Sequence, residues 1–206
     1  PLIISDQGGL TTHPELKQGN QIKKILYTIQ NPIIKFIVNQ SSRIIVPNKY
    51  EEKIFQNFGN ELKMNIIKNG INLKTIKDVE INFKDKNNIQ NDFILFLGRF
   101  NKVKGIDTLI EAWNIINAKE ICKKIKLVIM GVDFGFEKKM EYMINEKGLS
   151  DSIIIIKKPS REEIFAAYKE CLFLVLPSRW ELSPLTPLEG FAFKKTVIST
   201  TAHGIP

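Results

Sequence analysis

The chain has 206 residues, 43% hydrophobic and 25% charged, a balance that suits an ordinary soluble globular protein and not a disordered or fibrous one. No apolar run reaches the roughly 18 residues that a membrane helix needs. The two cysteines, Cys122 and Cys171, have no metal-ligand spacing and fit a reduced, cytosolic setting. The formal charge of +8 suits anionic partners, but the lysines are scattered among apolar residues as on solvated helix faces, so nucleic acid is not an expected partner.

The sequence opens at Pro1 in a strand-like PLIIS and closes on a loop-like Gly204-Ile205-Pro206, which reads as a fragment of a longer protein. Residues 2–4 form a short strand, and 5–9 a turn-rich loop. Residues 21–40 carry helical periodicity, with Ile22, Ile25, Leu26 and Ile29 on one face. Asn31-Pro32 is expected to split this stretch into two helices. A strand follows at 43–46, then Asn48 as the cap of a helix with Glu51 three residues on. A strand at 64–68 ends at Asn69-Gly70, a strong turn signal. Residues 71–91 are rich in Lys, Asp and Asn and read as a connection.

From residue 92 the pattern alternates more clearly. Strands are expected at 93–97, 125–130, 153–156, 171–176 and 197–199. Helices are expected at 105–117, 136–147, 160–170, the last opened by a Ser160/Glu163 capping box, and 187–193. Such alternation implies an α/β fold with a doubly wound parallel sheet. Three parts result: the end of a first α/β domain at 1–75, an interdomain connection at 76–91, and a second domain at 92–206.

Two stretches carry chemistry. In FILFLGRFNKVKGIDTLIEAW, Gly98 ends a strand and lets a backbone approach closely, while Arg99 and Lys104 bring two cations to the same strand end, before a helix. Two cations there can neutralise a diphosphate, and a hydrogen bond to a charged group contributes about 1.5–3 kcal/mol. In LVLPSRWELSPLTPLEGFAFKKTVIST, Glu181 lies in a loop after a strand and Glu189 in the first turn of the next helix. Strand, loop and helix N-terminus make a common anion site. Thr186 and Glu189 are also spaced as a capping box, in which Glu189 would only close its own helix; the residues leave both readings open.

PSRWELSPLTPLEGFAFKKTVI resembles the signature of the nucleotide-sugar glycosyltransferases of family four: a Pro-Ser, a Glu, seven residues, a second Glu, then a valine-rich strand. The Gly98-Arg99…Lys104-Gly105 stretch is similar to the element that opens the family's donor-binding domain. Lys68-Asn69-Gly70-Ile71-Asn72 resembles its Asn-Gly-Val-Asp turn, and Met130-Gly131 stands where the family has a glycine after its second strand. The likeness runs from about Ser42 to Pro206.

The resemblance implies a GT-B fold of two Rossmann-like domains, both incomplete in this fragment. It also implies hexose transfer with retention at the anomeric carbon and without a metal or other cofactor. Arg99 and Lys104 would hold the diphosphate, Glu181 would face the donor sugar and Glu189 would take the ribose hydroxyls. Gly98, Gly131, Ser183, Leu185 and Thr186 would complete the donor site. The partners implied are a nucleotide sugar and a saccharide or lipid-linked acceptor; the setting is cytoplasmic, extending to peripheral contact with the inner membrane face.

The sequence departs from the family at Leu182-Ser183-Pro184, where a glycine and an aromatic are usual, and at Lys194-Lys195-Thr196. The loop expected to carry a first-domain catalytic His offers Asp6 and Gln7, with His13 nearby. The altered loop and absent His motivate an alternative, a GT-B module that binds nucleotide without turnover. The basic, apolar segment 23–35 motivates another, a membrane-associated or scaffold protein, against which stands a core-facing amphipathic helix.

Overall fold

The computed structural model describes residues 1–5, 21–58, 63–76, 79–119 and 124–205; Asp6, Gln7, His13 and Cys122 lie outside them. The chain divides into two compact units. The first comprises Pro1–Gly70, Trp180–Pro184 and Thr201–Pro206, the second Ile71–Arg179 and Leu185–Thr200.

The first unit runs β1 (Ile3–Ser5), α1 (Gln21–Gln40), β2 (Arg43–Val46), α2 (Lys49–Gln56) and β3 (Met64–Ile66). Its strands lie in the order β1-β2-β3 and are parallel, with Ile4 opposite Ile44 and Val46 opposite Ile66. Val38, Ile44, Val46 and Phe55 form its core, with Ile4, Ile34, Phe58 and Met64 packed around them. Asn48 caps α2, its Oδ1 accepting from the Glu51 amide at 2.9 Å.

Pro32 does not split α1, contrary to expectation: one helix runs through it. Proline removes a single i−4 bond, here on an exposed side of the helix, and Ile34 and Val38 anchor the following turns to the core. The helix also turns a different face inward than expected. Ile25, Ile29, Ile33, Phe36 and Ile37 are 42–65% exposed. Among the described residues no helix is long and apolar enough to cross a membrane.

The second unit runs α3 (Phe83–Lys86), β4 (Asp92–Leu97), α4 (Ile106–Asn117), β5 (Ile125–Gly131), α5 (Glu137–Glu146), β6 (Ile153–Lys157), α6 (Arg161–Glu170), β7 (Leu174–Leu176), α7 (Leu185–Ala192) and β8 (Val197–Ser199). The sheet order is β6-β5-β4-β7-β8, all parallel. The central strands read as continuous apolar runs because helices cover both faces. Ile94, Phe96, Leu127 and Ile129 point to one side, against Ile110 and Trp113 of α4 and Met140 of α5. Phe93, Leu95, Val128 and Met130 point to the other, against Phe165 and Tyr168 of α6. Each such side chain contributes about 1.5–3 kcal/mol on burial.

The polar stretch 71–91 is bound more closely to this sheet than its composition suggests. Phe83 and Ile89 are buried in the second of these clusters. Glu170 accepts from the amides of Phe83 (2.6 Å) and Lys84 (3.0 Å), fixing α3. The strand expected at 171–176 is shorter: Cys171 still ends α6, its amide bonded to the Ala167 carbonyl. The Ser160/Glu163 capping box is present. The Thr186/Glu189 box is not, because α7 begins at Leu185 and places Thr186 inside its first turn. Amides of the first turn have no intrahelical partner, so Pro187 is tolerated at its third position as well as at its first.

Candidate functional site

β4 opens the second unit's sheet, β5 and β6 are laid down on one side of it, and β7 and β8 on the other. The chain therefore leaves the carboxyl ends of β4 and β7 in opposite directions, and a parallel sheet binds ligands at such a point. Gly98 and Arg99 follow β4, Gly131 ends β5, and Pro177 and Ser178 follow β7.

Two glycines here have steric reasons to be present. A Cβ on Gly131 would collide with the Gly98 carbonyl, so only glycine lets these strand ends meet. Gly105 precedes α4 at φ 71°, and a Cβ there would collide with the carbonyl of Pro177. The start of α4 is thereby laid against the exit of β7.

Arg179, which sequence reading did not single out, fixes that junction. Its amide donates to the Val103 carbonyl at 2.8 Å. Its guanidinium donates to the Lys102 carbonyl (2.7 Å), Asp107 Oδ1 (2.6 Å) and Thr108 Oγ1 (2.7 Å). Burial pushes the Asp107 carboxyl up, but the hydrogen bonds from Arg179 and the Thr108 amide, with the Arg179 charge, bring it below its ordinary value. The turn Lys102–Lys104 is held from beneath in this way, and with it the half-buried Lys104.

Arg99 is exposed, its guanidinium 5.0 Å from the centroid of the Phe134 ring. Phe134 is brought there because the strand ends stay zipped beyond the sheet. The Phe100 amide bonds the Val132 carbonyl at 2.7 Å, and the Phe134 amide bonds the Phe100 carbonyl at 3.0 Å. Asp133 then turns the chain into α5, its Oδ1 accepting from the amides of Gly135, Phe136 and Glu137 at 2.9–3.0 Å.

Glu189 is 6% exposed and sits in a network with α6. Its Oε1 accepts from Arg161 Nη2 at 2.5 Å and its Oε2 from the Tyr168 hydroxyl at 2.9 Å. The Thr186 side chain bonds the same Tyr168 hydroxyl; burial, and then the charge of Glu189, push that phenol well above its ordinary range. Arg161 also lies over the Phe165 ring, 4.4 Å from its centroid. Neither Arg161 nor Tyr168 is legible as a partner in the sequence, being 28 and 21 residues away.

Within the second unit the structure brings Gly98, which Arg99 follows, against Gly131 and sets Lys104 beside the exit of β7, while Leu185, Thr186 and Glu189 belong to α7 of the same unit, where Glu189 meets α6. Glu181 and Ser183 are instead grouped with the first unit, where Glu181 is buried and its carbonyl accepts from the Gly204 amide at 3.0 Å.

The sequence pattern of the glycosyl transferases group 1 matches residues 78–206. The chain belongs to the glycosyl transferases group 1. The family match covers nearly all of the second unit, including its whole five-stranded sheet. An uncharacterized glycosyltransferase of Methanocaldococcus jannaschii is 33% identical over 172 residues, 83% of this chain and 43% of the relative. The lipopolysaccharide 1,2-N-acetylglucosaminetransferase of Salmonella typhimurium is 22% identical, over 98% of this chain and 55% of the relative. Among solved structures, Anabaena HepE in complex with UDP-glucose superposes with a TM-score of 0.76 at 18% identity, over 99% of this chain and 54% of that one. This group 1 chain has a GT-B fold, and it spans about half the length of the curated relatives it matches.

Proposed function

We propose that the full-length protein transfers a hexose from a nucleoside diphosphate sugar to a glycan or lipid-linked acceptor, with retention and without an obligatory metal or cofactor, as a family-four enzyme. The single observation that carries this reading is the placement of two cations beyond the carboxyl end of β4, where the sheet reverses direction: Arg99 directly after the strand, and Lys104 on the turn braced by Arg179. Membership in the glycosyl transferases group 1 supports it. The Anabaena structure holds UDP-glucose, which favours a nucleoside diphosphate sugar as donor.

In this mechanism Arg99 and Lys104 hold the diphosphate and stabilise the charge that grows on it as the glycosidic bond breaks. Glu181 faces the donor sugar, and Glu189 adds the ribose hydroxyls to the donors it already accepts. A carboxylate has about four lone-pair sites, so two protein donors leave room for two more. Gly98, Gly131, Ser183, Leu185 and Thr186 line the rest.

Arg99→Ala and Lys104→Ala in the full-length protein are each expected to lower kcat/KM for the donor about tenfold or more, with kcat falling at least as much as donor affinity, because the charge they meet is largest in the transition state. Steady-state kinetics beside calorimetric nucleotide titration checks this. Wild-type turnover in both variants would make them ordinary surface cations. Nucleotide binding by a wild-type protein that never turns over would favour the inactive GT-B module instead.

A second reading, peripheral contact with an acidic membrane face, is favoured by the exposed apolar stripe of α1, which carries the exposed Lys35 beside it. Ile29→Glu/Ile33→Glu is expected to abolish co-flotation of the full-length protein with vesicles containing acidic lipid. Flotation that survives the double change, or is absent in the wild type, sinks that reading.

A further inference from the structure

We propose that Asn48 and Asn69 are positioning residues that hold the loop carrying Glu181 in place and so set where its carboxylate is presented, a role that rests on the reading of Glu181 as the residue facing the donor sugar. Three successive carbonyls of that loop are each held by a different donor within the first unit. The Gly204 amide donates to the Glu181 carbonyl at 3.0 Å. The Asn48 amide group donates to the Leu182 carbonyl, and Asn69 Nδ2 donates to the Ser183 carbonyl at 3.1 Å. Peptide units are planar, so fixing the carbonyls of Glu181, Leu182 and Ser183 fixes the three peptide planes that follow Glu181, and with them the position of its Cα and the course of the loop beyond it. The loop 181–184 has no regular secondary structure that could do this by itself.

The two asparagines are placed for the task by the parallel sheet. Asn48 stands two residues beyond Val46 at the end of β2, and Asn69 three beyond Ile66 at the end of β3, and Val46 and Ile66 are paired neighbours. The cap of α2 accounts for only half of the Asn48 side chain. Its Oδ1 is taken by the Glu51 amide, which leaves the Nδ2 donor for Leu182. Asn69 caps none of the described helices; its Nδ2 bond to Ser183 is its use in this unit. The returning segment is seated against the same carbonyl, beside Asn48. A Cβ on Gly204 would collide with the Leu182 carbonyl, and His203 stacks on Tyr50 with ring centroids 4.3 Å apart.

Asn→Asp separates this role from the structural one. The Asn48→Asp variant keeps the oxygen that caps α2, and aspartate is as good a cap as asparagine. Each of the two variants, however, sets a second oxygen against a carbonyl in place of the donor. Asn48→Asp and Asn69→Asp in the full-length protein are each expected to lower kcat about tenfold or more, since a misplacement of about 1 Å can cost a hundredfold. The affinity for UDP or GDP should stay within about twofold, because the diphosphate is held in the second unit by Arg99 and Lys104. Hydrogen exchange of the peptide covering residues 180–186 should rise in both variants while that covering α2 stays as in the wild type. Unchanged kcat in a protein that turns over overturns the proposal, as does unchanged exchange in 180–186. If the wild type turns over no nucleotide sugar, the enzymatic reading fails first, and the exchange measurement alone still decides whether the asparagines hold the loop.

Discussion

Gly105→Ala is expected to destabilise the second unit by about 2–5 kcal/mol. Two costs add at this position. The left-handed φ of 71° costs an L-residue about 1–2 kcal/mol. The new Cβ would also collide with the Pro177 carbonyl, a main-chain atom that cannot swing aside like a side-chain tip, and forced overpacking costs about 1–3 kcal/mol more. Gly148→Ala isolates the first cost. Gly148 follows α5 at φ 64°, but a Cβ there meets nothing within 4 Å, so its alanine variant should lose only about 1–2 kcal/mol. Denaturant unfolding of both variants, with nucleotide titration, measures the difference. The junction of α4 with the exit of β7 also seats Lys104, so Gly105→Ala should weaken nucleotide binding and Gly148→Ala should not. Equal stabilities for the two variants would refute the steric argument.

What the sequence reveals of this fold follows from where local signals suffice. The strands of the second unit are legible because Phe93, Ile94, Leu95 and Phe96, or Leu127 through Met130, are apolar on both faces, and only a doubly covered strand calls for that. The start of α6 is legible because Ser160 and Glu163 satisfy each other locally. The start of α7 is misplaced from sequence, since a proline suits any position whose amide has no intrahelical partner. Pro32 reads as a break because its local cost is real, yet packing at Ile34 and Val38 decides the matter. The face of α1 is misassigned for the converse reason: apolar spacing marks a stripe, but Ile25 and Ile29 lie on the exposed one. The cations of the site, Arg99 and Lys104, can be found as residues beside a strand end. The groups that brace the site cannot. Arg179 meets Asp107 across 72 residues, and Asn48 meets Leu182 across 134, separations at which one sequence carries no pairing signal.

Glu189→Gln is expected to lower both stability and nucleotide affinity, and the two losses should come apart in a second background. The structure removes the reading in which this carboxylate merely caps its helix: α7 begins at Leu185, and both carboxylate oxygens accept from α6. Glutamine keeps one acceptor, which Tyr168 can still use, but turns an NH2 group toward Arg161. The lost charged bond should cost about 1.5–3 kcal/mol of stability, toward the lower end because Arg161 is 57% exposed and can return to water. If Glu189 also takes the ribose hydroxyls, the nucleoside diphosphate should bind roughly ten- to a hundredfold more weakly. Arg161→Ala distinguishes the two. It removes the same ion pair, so in that background Glu189→Gln should cost little further stability, and a double-mutant cycle should show the coupling. The ribose contact does not involve Arg161, so the affinity loss from Glu189→Gln should persist undiminished. Denaturant unfolding and calorimetric titration on the four proteins check both halves. An affinity loss that vanishes with Arg161 would mean that Glu189 acts on the nucleotide only by holding α6 against α7. An unchanged affinity throughout would leave Glu189 as the tie between those helices and the donor site to Arg99, Lys104 and Glu181.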